Sequence, residues 1–170
     1  MFGMIETWVE TIARRVFWND IRVVNCRQWK QNPTIGVTLD EGATLPIRAH
    51  STDAGADICC VEDVTIAPGD SILVDTGVHV QLPPNTVGML KSKSGLNCMA
   101  AMTTTGVIDE GYSGPIKVRV YNHGAFPKEF KAGDKVTQLV VMPVLFPTYE
   151  LVDEIDGGER GTDGFGSTGK

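Results

Sequence analysis

Asp109 and Glu110 follow directly on Val107-Ile108 and lead into Gly111-Tyr112-Ser113-Gly114. Two β-forming apolar residues running into a glycine-flanked acidic turn spell a strand that ends in a hairpin. A carboxylate just beyond a buried strand is fixed in place and partly dehydrated, as a general base requires. Loops held on β-scaffolds are also where catalytic groups collect. Asp109 is therefore the candidate base, and the plain alternative is a hairpin turn with two carboxylates in water. A second chemical stretch closes the chain. Residues 157–170 hold six glycines together with Arg160, Phe165 and the Ser167-Thr168 pair. Such a segment forms no stable element alone. Over an anionic ligand, however, the ring can stack, the glycines admit backbone amides, and the arginine and hydroxyls meet oxygens. The alternative is a disordered terminus.

The elements that must position these groups are short strands. Ile35, Val37 and Leu39 alternate. Val64–Ile66 precedes the turn Ala67-Pro68-Gly69-Asp70, and Ile72, Val74, Thr76, Val78 and Val80 then read as one long period-two strand. Pro83-Pro84-Asn85 turns the chain before Val87–Leu90. Ile116, Val118 and Val120 point one way, and Lys117, Arg119 and Tyr121 the other. Gly133-Asp134 is a turn before Val136 and Leu139–Val144, and Ser94–Met102 has room for a turn or two of helix. Many short strands with Pro/Gly turns predict an all-β sandwich or barrel. Residues 4–18 differ: Ile5, Trp8, Val9, Ile12 and Val16 recur at helical spacing, which predicts an amphipathic helix. Three regions follow: an extension over 1–33, a β-domain over 34–156 and an arm over 157–170.

Charge narrows the partners. The 170 residues carry a net charge of -6, divided as +2 over residues 1–33 and -8 over the remainder. An acidic body lacks the counterion-release term that drives nucleic-acid binding, so no nucleic-acid partner is expected. A phosphorylated ligand would need well-placed cations or a divalent metal. No apolar run approaches the ~18 residues of a membrane span, and the N-terminus shows no cleavable signal pattern. The four cysteines, Cys26, Cys59, Cys60 and Cys98, have neither Cys-x-x-Cys nor zinc-finger spacing. Free thiols in a reducing cytoplasm are expected.

Five stretches in order resemble the homotrimeric deoxyuridine triphosphatase (dUTPase) family: Asp53-Ala54-Gly55-Ala56-Asp57-Ile58, Lys91-Ser92-Lys93-Ser94-Gly95-Leu96, Gly106 to Gly114, Gly133-Asp134-Lys135-Val136-Thr137-Gln138-Leu139, and Arg160 to Gly169. The resemblance implies a distorted jelly-roll or β-barrel and hydrolysis of dUTP to dUMP and pyrophosphate with Mg²⁺. Such an activity limits uracil in DNA and supplies dUMP. It gives Asp109 the role of orienting and deprotonating the water that attacks the α-phosphorus. Asp57 would hold the metal through its water shell. Lys93, Ser94, Gly95 and Gln138 would meet phosphates or metal-bound water. Lys93 stands where many members have arginine, and lysine cannot make the planar two-pronged contact.

The same resemblance assigns uracil to the backbone of Gly106, Val107 and Ile108. Tyr112 would pack on the deoxyribose and exclude a 2′-hydroxyl. Thr103 falls where many members contact uracil through asparagine, and Lys117 at a position that often lines the site. In the arm, Phe165 would stack on uracil, Arg160, Ser167 and Thr168 would hold the γ-phosphate, and Gly166 would also bind substrate; Asp163 replaces a common glycine. A trimer with shared sites is implied. Two rivals stand beside this reading. One is dCTP deaminase, which needs a carboxylate where this chain has Arg119. The other is a dUTPase-fold interaction protein engaging a partner through the N-terminal helix.

Overall fold

The structure, a computed structural model, describes residues 33–158 and 161–162. The helix expected over 4–18, with its partner role, and the arm residues Arg160, Phe165, Gly166, Ser167 and Thr168 lie outside the described residues. Among the described residues ten strands run β1 Gly36–Leu39, β2 Gly55–Cys59, β3 Val64–Ile66, β4 Ser71–Asp75, β5 Val78–Gln81, β6 Thr86–Lys91, β7 Met102–Ile108, β8 Lys117–Asn122, β9 Lys128–Phe130 and β10 Lys135–Pro143. One short helix, Gly95–Met99, lies between β6 and β7. Its single π-type turn is less helix than Ser94–Met102 had room for. The expected all-β architecture holds.

Six strands form an antiparallel sheet in the order β2-β10-β6-β7-β8-β4, and β1-β5 and β3-β9 form two ribbons. All three share one core. Ile58, Val74, Val78, Leu90, Ile116, Val118, Val120 and Val136 are fully enclosed in it. Strand β8 shows the predicted alternation, with Val118, Val120 and Asn122 inward and Lys117, Arg119 and Tyr121 outward. Asn122 is buried because its side chain closes the following turn: Nδ2 donates to the carbonyls of Ile66 (3.0 Å) and Phe126 (2.9 Å), and Oδ1 accepts from Gly124 N (3.0 Å).

The long strand expected over Ile72–Val80 is two strands in two sheets. The alternation is real, since Val74, Thr76, Val78 and Val80 are all buried, but the chain breaks at Thr76-Gly77. Buried Thr76 cannot reach water, so its hydroxyl donates to Ile116 O (2.7 Å) and accepts from Val78 N (3.3 Å). Gly77 takes φ +59° and donates its N–H to Asp75 Oδ1 (3.0 Å). β4 then pairs with β8 and β5 with β1. Period two is blind to such a corner, because inward and outward residues keep alternating through it.

A side chain at residue 77 would meet Ala43 Cβ at 2.9 Å in a left-handed backbone. Gly77→Ala should therefore lower stability by ~1–3 kcal/mol, read as a fall in the urea or thermal midpoint. An unchanged midpoint would mean the corner is not built this way.

Candidate functional site

Strand β10 brings three of the sequence motifs together. Gln138 stands opposite Asp57 of β2 on one side and Lys91 of β6 on the other. Asp57 is only 9% exposed, and its carboxylate is gripped by two ammonium groups. Lys93 binds Oδ1, and Lys135 binds Oδ2 at 2.9 Å. Burial pushes the Asp57 carboxyl up, but the hydrogen bonds and charges of the two lysines outweigh it and hold the group below the ordinary carboxylate range. Gln138 lies across Gly55, so close that a Cβ there would sit 2.2 Å from its Oε1, and its Nε2 donates to Ser92 O (3.0 Å). Asp53, Gly55, Asp57, Lys93, Ser94 and Gln138 line a cleft of about 290 Å³.

The loop that carries Lys93 and Ser94 is fastened by buried hydroxyls. Ser92 Oγ accepts from Thr104 N (2.7 Å), the hydroxyls of Thr104 and Thr137 share a hydrogen bond (3.0 Å), and Thr137 Oγ1 donates to Lys91 O (3.1 Å). Ser94 is already helical (φ -55°, ψ -42°) and makes no capping bond. Ser94 lines the cleft, and a Cβ on the adjoining Gly95 would meet only open space. Lys135 was the residue that sequence reasoning gave no role. Strict alternation puts Lys135 and Gln138 on opposite faces, but the pairing with β2 shifts register between Lys135 and Thr137. That bulge turns both Val136 and Thr137 inward and lets Lys135 reach Asp57. A bulge leaves no mark in the sequence beyond two successive core-compatible residues.

The third motif is where the sequence placed it, at the end of β7. Gly106–Ile108 pairs with β6, whereas the ladder to β8 stops at Thr105 opposite Arg119. The strand is thus paired on one side only from Gly106 onward. The turn closes with Tyr112 N donating to Asp109 O (3.2 Å). Asp109 is exposed rather than partly buried as expected, because in a single chain nothing covers the turn. It lines an open cleft of about 420 Å³ with Thr86, Val87, Glu110, Gly111, Val144 and Phe146. Glu110 anchors the turn by accepting from Asn85 N (2.7 Å). At the opposite end of β7, Thr103 Oγ1 and His123 Nε2 share a hydrogen bond (2.8 Å), and at the start of β8 Lys117 pairs with Asp75 at 3.0 Å. Tyr112 is half exposed and donates its hydroxyl to Pro115 O (3.1 Å).

The candidate residues therefore fall into two groups. Asp57, Lys93, Ser94 and Gln138 line one cleft, and Gly95 follows Ser94 at the start of the short helix. Thr103, Gly106, Val107, Ile108, Asp109, Tyr112 and Lys117 gather along β7, its turn and the start of β8. Asp109 and Asp57 line two different clefts. Arg119, the position that separates the deaminase, is an outward residue of β8 whose Nη1 donates to Ser71 Oγ (3.2 Å). No carboxylate stands there for proton transfer.

This fold, with a buried carboxylate between cations in one cleft and an acidic hairpin turn at another, defines a class whose members are known. The dUTPase family model matches residues 41–169. The deoxyuridine 5′-triphosphate nucleotidohydrolase of Nocardia farcinica is 43% identical over 135 residues, spanning 77% of this chain and 82% of that protein. The protein of the same name from Gloeothece citriformis is 42% identical over 134 residues, 77% of this chain and 92% of that protein. Among solved structures, a mutant dUTPase of Staphylococcus bacteriophage 80alpha with dUpNHpp superposes with a TM-score of 0.75 at 29% identity, covering 81% of this chain and 99% of that one. The chain belongs to the dUTPase family.

The depressed Asp57 carboxyl has a stability consequence. A lowered folded value adds stability above the unfolded carboxylate range, and that stability is lost as pH falls through the folded value. Asp57→Asn keeps an acceptor for one lysine and strands the other, so wild type should melt above it at neutral pH by an amount worth ~1–3 kcal/mol. The gap should shrink as the solution is acidified, and a gap independent of pH would contradict the ion-pair geometry.

Proposed function

We propose that this chain is a dUTP diphosphatase, hydrolysing dUTP to dUMP and pyrophosphate, and that it works as a homotrimer whose sites are shared between copies. The observation that carries the shared site is the separation of the acidic turn from the phosphate-type cleft within one chain. Joining the two clefts of different copies would bring Asp109 to the α-phosphorus of a triphosphate held by Lys93, Ser94 and Gln138. Covering the turn would also supply the desolvation that Asp109 lacks alone.

Each group then has a task. Asp109 orients a water and accepts its proton. The backbone of Gly106–Ile108, unpaired on the β8 side, offers donors and acceptors to uracil. Tyr112 lies against the sugar. Lys93 has three donors and spends one on Asp57, so it can stay paired while meeting a phosphate. Arm residues Arg160, Phe165, Gly166, Ser167 and Thr168 would close over the bound nucleotide. Little covalent work falls to the protein, since positioning and charge stabilisation dominate phosphoryl transfer.

The residues fit Mg²⁺. The described residues contain no cluster of three metal-ligating side chains, but Mg²⁺ favours one or two carboxylates together with waters and substrate phosphates. Asp57, with both oxygens already engaged by lysines, suits a hold through water. When bound, the ion supplies neutralisation of the triphosphate charge. A related phage phi11 dUTPase, with a TM-score of 0.68 at 29% identity, was solved with a structural Mg(II) ion.

Pyrophosphate release should occur from dUTP with Mg²⁺ and not from dCTP, dTTP or UTP. Asp109→Asn should reduce turnover by roughly 10²–10⁴-fold while dUTP still binds. Release from dCTP in place of dUTP, or full turnover by Asp109→Asn, would contradict the assignment. Phe165→Ala should weaken kcat/KM by the ~1–3 kcal/mol of a base–aromatic stack; wild-type kinetics would argue against closure of the arm.

A further inference from the structure

His79 stands on β5, opposite Thr38 of β1, with its side chain 22% exposed. Its two ring nitrogens face two acceptors. Nδ1 lies 2.8 Å from Ser113 O, and Nε2 lies 3.2 Å from both carboxylate oxygens of Asp40. A neutral imidazole has one N–H and leaves one contact without a proton, whereas the imidazolium satisfies both. Ser113 directly follows Tyr112 in the hairpin turn. The tyrosine ring is already pressed onto this turn: its hydroxyl donates to Pro115 O, and a Cβ on Gly114 would sit 2.5 Å from that hydroxyl oxygen. Asp40, at the other end, donates its N–H to Gly77 O (2.8 Å), so the line from Asp40 through His79 to Ser113 ties the turn to the corner between β4 and β5.

We propose that His79, as the imidazolium, is a positioning residue that braces the Tyr112 turn and thereby sets the discrimination between deoxyribose and ribose. The proposal rests on the dUTP-hydrolase reading. The ionisable groups that face His79 are Asp40, from the loop after β1, and Asp75 at the end of β4, itself paired with Lys117 of β8. The hydrogen bond to Ser113 O and then that to Asp40 hold the His79 ring protonated to higher pH than an ordinary histidine. For a raised value the brace is complete below the ordinary histidine range and is lost as pH rises through the raised value.

The test follows the kcat/KM ratio of dUTP to UTP across pH, alongside the NMR signals of the His79 and Tyr112 rings in the full chain. The ratio should fall, by up to about tenfold for one net hydrogen bond, as pH passes the His79 midpoint, and the Tyr112 ring signals should shift at that same midpoint. Asp40→Asn keeps an acceptor but removes the charge, so it should move the break to lower pH. His79→Ala should give a low ratio at every pH with no break. A ratio that is flat through the His79 midpoint, or a break that persists in His79→Ala, would overturn the brace. Absence of dUTP hydrolysis at every pH would instead overturn the activity. The brace would then be decided by the NMR arm: Tyr112 ring signals that shift at the His79 midpoint support it, and Tyr112 signals that stay fixed through that midpoint reject it.

Discussion

Removing a carboxylate from water costs several kcal/mol unless it is paired and fully hydrogen-bonded, and Asp57 meets that condition with one lysine on each oxygen. The two lysines come from different places, Lys93 from the loop after β6 and Lys135 from the first residue of β10. Their common partner therefore fixes the loop, the strand and β2 relative to one another. Gln138 and the Ser92–Thr104–Thr137 hydroxyls lock the same junction from the side. A cleft in which Lys93 and Lys135 offset the charge of Asp53 and Asp57 is the outcome. Lys93 and Ser94 are then left to meet a triphosphate there.

The acidic turn at the end of β7 obeys a different constraint. It is stiffened by Glu110 and Tyr112 but is left open to solvent, and the chain that follows β10 is also uncovered. Phe146, Tyr149, Leu151 and Ile155 are all strongly exposed. Apolar side chains in such number on one segment need a cover. In the proposed trimer a neighbouring copy provides it, which would also dehydrate the open cleft where Asp109 and Phe146 lie together.

Much of this was legible in the sequence. Period-two alternation and Pro/Gly turns located most strands, and the first four motifs contain the groups that line the two clefts. The corner at Thr76-Gly77 was not legible, because the inward face continues through it and only a left-handed glycine betrays the break. Lys135 was missed because a bulge carries it to the face that alternation denies it. The exposure of Asp109 was misjudged because Ile108, although buried, belongs to a core that stops one residue earlier. His79 carries no motif at all, and only the placement of Ser113 and Asp40 on either side of its ring gives it meaning.

Two variants, one from each cleft and each first shown to be inactive alone, test the division of the site most directly. Asp109→Asn and Asp57→Asn chains would be purified separately, unfolded, mixed and refolded together, and dUTP hydrolysis compared with that of each variant refolded alone. If a site is built from different copies, some mixed assemblies contain an intact Asp109 facing an intact Asp57, and activity should return in the mixture only. A mixture as inactive as its parents, from subunits shown to have exchanged, would mean that each chain completes its own site and that the separation of the clefts has another origin.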